Sequence, residues 1–291
     1  MFQGSIVALI TPMNATGELD ENSLGALIEK HVLAGTSAVL VNGTTGEAAT
    51  LTSTEKERVI RVALEAANHR IPILAGTGTH STAQTIRQTE QAMDLGVEAC
   101  VVITPYCVRP TQEGLYQHYQ LLAKTVPIPI ILYNVPKRTG CDLLPETVER
   151  LSHIPNIIGL KDATGDLVRS KETLALCGDR IDLYSGDDAS ALAFMLQGGK
   201  GVISVTANVA PKAMHDMCAA ALSSNLKLAG ELNTPLMDLH KNLFVEANPI
   251  PVKWVVEQLG WIKSGIRLPL TPLSEKYHSQ LREAMKISGV I

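Results

Sequence analysis

The sequence predicts an α/β fold: a (β/α)8 TIM barrel with a small C-terminal helical appendage. Three observations carry that prediction. Eight short apolar runs alternate with amphipathic stretches as far as about residue 223, as in βα units joined by right-handed parallel connections. Thr77, Pro105, Tyr133 and Lys161, each ending or following an apolar run, succeed one another at a constant spacing of 28 residues. Several runs, such as Ile157-Ile158-Gly159-Leu160, are apolar on consecutive residues, which suits parallel strands covered on both faces. A doubly wound open sheet fits the alternation too; the near-constant period and the count of eight favour closure.

Residues 5–10 read as the first strand and 21–34 as its helix. The second strand, 38–41, leads into the loop Gly43-Thr44-Thr45-Gly46-Glu47. Thr52 and Glu55 have capping-box spacing and open a helix to about residue 68. The next three strands end at Thr77, Pro105 and Tyr133, with helices near 82–95, 112–125 and 145–152. Strand six ends at Lys161, strand seven covers 181–185 and strand eight 201–205. Pro211 then sits where a helix begins, a position at which its missing N–H costs nothing. Beyond Ser223 the signals are helical only, near 225–243, 251–259 and 274–287. The expected division is a barrel over residues 1–223 and a helical domain over 224–291.

At 291 residues, 45% of them hydrophobic, the chain can bury a sizeable core in one large domain. A net charge of −4 with no block of like charges gives no footing for nucleic acid or an anionic membrane surface. No apolar run approaches the ~20 residues that span a bilayer. No Lys or Arg precedes Lys30, so the apolar stretch 6–10 lacks the basic flank of a signal peptide. Cys100, Cys107, Cys141, Cys177 and Cys218 are scattered, without C-x-x-C spacing, which suits reduced thiols and a cytoplasmic location. The histidines show no metal-ligand spacing, and neither a GxGxxG nor a Walker pattern is present, so no metal or nucleotide cofactor is expected.

Lys161 closes the most informative run. An unpaired ammonium at the end of a buried strand is costly, so such a lysine is paired, neutralised or used. As a structural residue it would pair with a carboxylate such as Asp162, although adjacent strand residues point to opposite faces. As a catalytic residue it would lose its proton in a poorly hydrated barrel mouth and attack a carbonyl, giving a Schiff base. Tyr133, at the equivalent end of the preceding strand, supplies a proton shuttle for such chemistry; alone it would read as a core tyrosine bonded to backbone. The loop around Thr44 and Thr45 offers two hydroxyls and backbone N–H groups for a carboxylate, or is an ordinary βα turn. Glu47 in it would then bond backbone within the turn. Arg138, in the loop after Tyr133, is able to grip a carboxylate bidentately. Gly186-Asp187-Asp188 either lines the pocket through backbone or caps the next helix.

Taken together, Gly43-Thr44-Thr45-Gly46-Glu47, Tyr133-Asn134-Val135-Pro136, Arg138-Thr139-Gly140 and Gly159-Leu160-Lys161-Asp162-Ala163 resemble the dihydrodipicolinate synthase family of pyruvate-dependent class I aldolases. The resemblance runs from Gly4-Ser5-Ile6-Val7 to Arg267-Leu268-Pro269-Leu270-Thr271-Pro272 and includes Asn248-Pro249-Ile250-Pro251-Val252-Lys253-Trp254. It implies a lyase of diaminopimelate and lysine biosynthesis that condenses pyruvate with L-aspartate 4-semialdehyde and then cyclises the product. Lys161 would form the imine, Tyr133 would transfer protons aided by Thr44, and Thr45 would hold the pyruvate carboxylate. Arg138 would hold the semialdehyde carboxylate, and Gly186 and Ile203 would contribute backbone carbonyls. No cofactor is implied, and the implied assembly is a homotetramer of two tight dimers.

The chain departs from that family in two places. The strand-four motif T-P-Y-Y-N reads here Thr104-Pro105-Tyr106-Cys107-Val108. The second tyrosine normally crosses the tight dimer interface to complete a relay with Thr44 and Tyr133, and the thiol of Cys107 is a shorter, weaker donor. Reduced turnover with intact imine formation is expected. Lysine-sensitive relatives commonly carry a carboxylate at the position of Gln84, a neutral partner at that of His80, and His at that of Lys56. With Gln84 uncharged and Lys56 repelling a cationic ligand, Tyr106 alone leaves this effector site degenerate, so weak or absent lysine inhibition is expected. Two alternatives stand beside the synthase: another pyruvate aldolase such as an N-acetylneuraminate lyase, against which Arg138 argues, and a non-catalytic pyruvate-binding barrel.

Overall fold

A computed structural model describes residues 2–291. Eight parallel strands close in sequence order, β1 Gly4–Ala8, β2 Ala38–Val41, β3 Ile73–Gly76, β4 Ala99–Ile103, β5 Ile130–Asn134, β6 Ile157–Asp162, β7 Asp182–Ser185 and β8 Gly201–Ser204. The open-sheet alternative is thereby excluded, because β1 pairs with β8, Gly4 level with Gly201. That seam needs glycine: a Cβ on Gly201 would collide with the Gly4 carbonyl oxygen.

The strands owe their unbroken apolar runs to two separate cores. Ile6, Ala8, Leu40, Leu74, Val101, Ile131 and Ile203 fill the barrel interior. Their neighbours Val7, Val39, Ile73, Cys100, Leu132 and Val202 face outward and pack under the helices. Side chains alternate along each strand, so burial on both faces demands apolar residues at every position.

The connecting helices are α1 Glu21–Ala34, α2 Ser53–Ala67, α3 Thr82–Leu95, α4 Gln112–Thr125, α5 Pro136–Thr139, α6 Pro145–Leu151, α7 Leu167–Cys177, α8 Ala191–Leu196 and α9 Pro211–Leu222. Their starts obey local chemistry. Thr52 and Glu55 form the expected reciprocal capping box at α2, and Pro211 occupies the first turn of α9. After α9 come α10 Leu226–Asn233, α11 Met237–Asn242, α12 Ile250–Gln258 and α13 His278–Ile287. Among the described residues no helix is long and apolar enough to cross a membrane.

The 28-residue period holds for one pair and slips for the other two, Gly76 on β3 lying level with Val101 on β4. Tyr133 lies level with Lys161 across β5 and β6, but its partner on β4 is Ile103, not Pro105. Thr104 N–H still bonds the Tyr133 carbonyl. The offset of the whole β4–β5 pairing, Cys100 level with Ile130, leaves Pro105 beyond the paired residues.

Candidate active site

The C-terminal strand ends open on a cavity of about 220 Å3. Thr44, Lys56, Tyr106, Tyr133, Arg138 and Lys161 line it, together with Asn42, Gln88 and Thr139. Catalytic groups of such barrels sit at this face.

Lys161 is 6% exposed, and its Nζ lies 4.2 Å from the centroid of the Tyr133 ring. Burial pulls its pKa down to about 8, Asp188 opposes that fall and Arg138 adds to it. Asp162 is not the partner of Lys161. Asp162 points to the outer face, accepting from Thr164 N and Oγ1 at 3.0 and 3.1 Å and lying 3.4 Å from Arg169 Nε. Gly186 packs against the lysine stem: a Cβ there would stand 3.1 Å from Lys161 Cε and 2.8 Å from Ala163 Cβ. Burial raises the Tyr133 phenol above the ordinary tyrosine pKa, while Arg138 and a hydrogen bond from Thr44 pull the other way.

Thr45 is buried behind this surface, and its Oγ1 accepts from Asn248 Nδ2 at 2.9 Å. Arg138 Nη2 donates to the Asn248 carbonyl at 3.0 Å. Ile203 is buried in β8, level with Ile6 on β1. Of the effector set, Lys56 lines the cavity with its pKa lowered by burial, and the rings of His80 and Tyr106 meet edge to face at 5.3 Å. Gln84 uses its backbone N–H on the Ser81 cap of α3 and does not line the cavity; Gln88, one turn on, does. Cys107 is exposed in this chain, at φ +69°.

Two expectations need correction. The Glu47 carboxylate does not bond backbone within its turn. It is buried against Lys253 Nζ and accepts from the Arg267 N–H at 3.2 Å. Neither Asp187 nor Asp188 caps the helix that follows: α8 has Ser190 at its N-cap with no side-chain cap bond, and Asp187 accepts from Ser190 N at 3.0 Å in the turn before it. Asp188 instead accepts from Val205 and Thr206 N–H, at 2.9 and 3.0 Å, and from the Ser204 hydroxyl, fixing the turn after β8. Sequence reading also passed over Asn42, held at φ +53° with its Nδ2 on the Lys56 carbonyl. The one local signal was an asparagine ending a strand run.

The profile of the Dihydrodipicolinate synthetase family matches residues 1–288. The chain belongs to that family. It is 55% identical over 290 residues to the 4-hydroxy-tetrahydrodipicolinate synthase of Thioalkalivibrio sulfidiphilus, covering 100% of this chain and 99% of the relative. A crystal structure of a chloride-inhibited dihydrodipicolinate synthase from Acinetobacter baumannii, in complex with pyruvate, superposes with a TM-score of 0.99 at 51% identity over 100% of both chains. A monomeric dihydrodipicolinate synthase variant superposes at 0.97, with 41% identity over 100% of this chain and 98% of its own. Full-length matches at this identity fix the family as firmly as the fold.

Proposed function

We propose that this chain catalyses the Schiff-base condensation of pyruvate with L-aspartate 4-semialdehyde to 4-hydroxy-tetrahydrodipicolinate, a lyase reaction of diaminopimelate and lysine biosynthesis. The observation that carries the residue assignments is the desolvated Lys161 amine, its pKa about 8, set beside Tyr133 in the lining of the cavity. Neutral Lys161 attacks the keto carbon, and loss of water gives a protonated imine. Loss of a methyl proton gives an enamine whose carbon attacks the aldehyde, forming the C–C bond. The new alkoxide takes a proton, and the amino group of the adduct then displaces Lys161 from the imine carbon and closes the ring. One water leaves overall.

Tyr133, with Thr44, moves the protons of the carbinolamine and aldol steps. Thr45 holds the carboxylate of pyruvate, and Arg138 that of the semialdehyde. Gly186 and Ile203 contribute backbone carbonyls. Arg138 favours a carboxylate-bearing aldehyde over an uncharged amino-sugar aldehyde. The helical unit over 224–291 is read as a domain that braces the barrel over 1–223, supported by the Asn248 and Lys253 contacts. The working form is read as a cytoplasmic homotetramer of two tight dimers; exposed Cys107 stands where the family's interface tyrosine would be.

The test is a coupled assay with pyruvate and the semialdehyde, beside borohydride reduction with pyruvate alone. Turnover together with a single adduct on Lys161 supports the reading. An adduct without turnover would leave only a pyruvate-binding barrel, and preference for an amino-sugar aldehyde would favour the lyase alternative.

A further inference from the structure

We infer that Asn248 is a positioning residue that sets Thr45 and Arg138 against one another, fixing the spacing between the two carboxylate-holding groups of the site. The inference rests on the roles proposed above for those two residues. Asn248 is 6% exposed and lies between α11 and α12, 203 residues from Thr45 and 110 from Arg138 in sequence. Its side-chain Nδ2 donates to Thr45 Oγ1, and its backbone carbonyl accepts from Arg138 Nη2.

The direction of the first bond matters. A threonine hydroxyl has one proton and two lone pairs. The amide N–H occupies a lone pair, so the proton of Thr45 must point to a different acceptor, and a bound carboxylate is such an acceptor. Freed from Asn248, the hydroxyl would rotate and lose that orientation. The second bond takes one N–H of the guanidinium and leaves the others for a second carboxylate.

The segment is itself anchored. Lys253, on the first turn of α12, is buried against Glu47, which ends the loop carrying Thr45. The loop is thus held by Asn248 at Thr45 and by Lys253 two residues on. Through Asn248 and Lys253 the start of α12 pre-organises the donors before substrate arrives, so that less orientation is lost on binding.

The two bonds are separable, since only the Thr45 contact uses the side chain. Asn248→Ala is expected to raise the pyruvate concentration giving half-maximal borohydride trapping by about tenfold, the scale of one lost hydrogen bond to a charged ligand. Trapping at saturating pyruvate should be retained, and KM for the semialdehyde should change less. Asn248→Asp, nearly isosteric, still contacts the Thr45 hydroxyl but puts a negative charge beside the pyruvate carboxylate, so it should weaken pyruvate further than Asn248→Ala. Thr45→Val should match Asn248→Ala, and the double variant should be no worse than either. A half-saturation within twofold of wild type in both Asn248 variants would overturn the proposal, as would single effects that multiply in the double variant. If wild type itself gave no adduct on Lys161, the proposed chemistry would fail first; normal wild-type trapping with unaltered Asn248 variants would sink the positioning role alone. Matching melting curves exclude a folding defect, and Asn248→Asp keeps the test available if Asn248→Ala does not fold.

Discussion

Lys161 Nζ stands 4.2 Å from the centre of the Tyr133 ring, two residues level with one another on adjacent strands. The aromatic face favours the cation, while burial disfavours it, and burial wins, leaving the amine near 8 rather than at the ordinary lysine value of 10.5. Only the neutral amine attacks a carbonyl. The rate of borohydride-trapped adduct formation with pyruvate should therefore rise with pH and level off above about 8. Stability follows the same sign. Between the folded value and 10.5 the unfolded chain binds the extra proton, so stability climbs across that window and the charged amine costs stability below it. Lys161→Met should abolish the adduct and raise stability at pH 7 by up to roughly 3 kcal/mol in denaturant unfolding.

Tyr133→Phe keeps the ring over Lys161 and removes only the hydroxyl. Turnover should fall by about 10²–10⁴-fold, the range for a lost acid–base group. Adduct formation with pyruvate should survive, measured by intact mass after reduction.

On the proposed mechanism Cys107 stands where a relay tyrosine would act. Cys107→Tyr should raise kcat in the coupled assay, with little change in trapped adduct at saturating pyruvate. Unchanged or lowered turnover would show that the thiol does not limit the enzyme.

Glu47 and Lys253 form a pair 5% or less exposed at both side chains. Removing one partner strands a buried charge. Lys253→Met should cost about 3–5 kcal/mol in denaturant unfolding. Adding Glu47→Gln to it should restore part of that loss, because no uncompensated charge then remains. Equal losses in the single and double variants would count against the pair as described.

Lysine should inhibit weakly or not at all. A dibasic ligand entering beside Tyr106 and His80 meets the half-buried Lys56 ammonium and finds the uncharged Gln84 outside the cavity. Initial rates at sub-millimolar lysine should match those without it; a steep fall would contradict this.

Much of the architecture was written locally. A strand buried on both faces must be apolar at every residue, and a helix start needs its cap within three residues. The eight runs, the Thr52–Glu55 box and Pro211 therefore announced themselves in the sequence. The constant spacing also brought Tyr133 and Lys161 to one level, since each lies one residue before the end of a strand and the two strands pair directly. The same spacing misled at Pro105, because the β4–β5 pairing sets Ile103, not Pro105, level with Tyr133.

What tertiary structure alone decided are the contacts that join distant segments. Glu47 meets Lys253 across 206 residues and Thr45 meets Asn248 across 203. Asp188 caps the turn after β8 in place of its own helix. Local chemistry lists which partners a carboxylate or amide will accept, but only closure of the barrel under its C-terminal helices selects one, by bringing it within hydrogen-bond reach and excluding water.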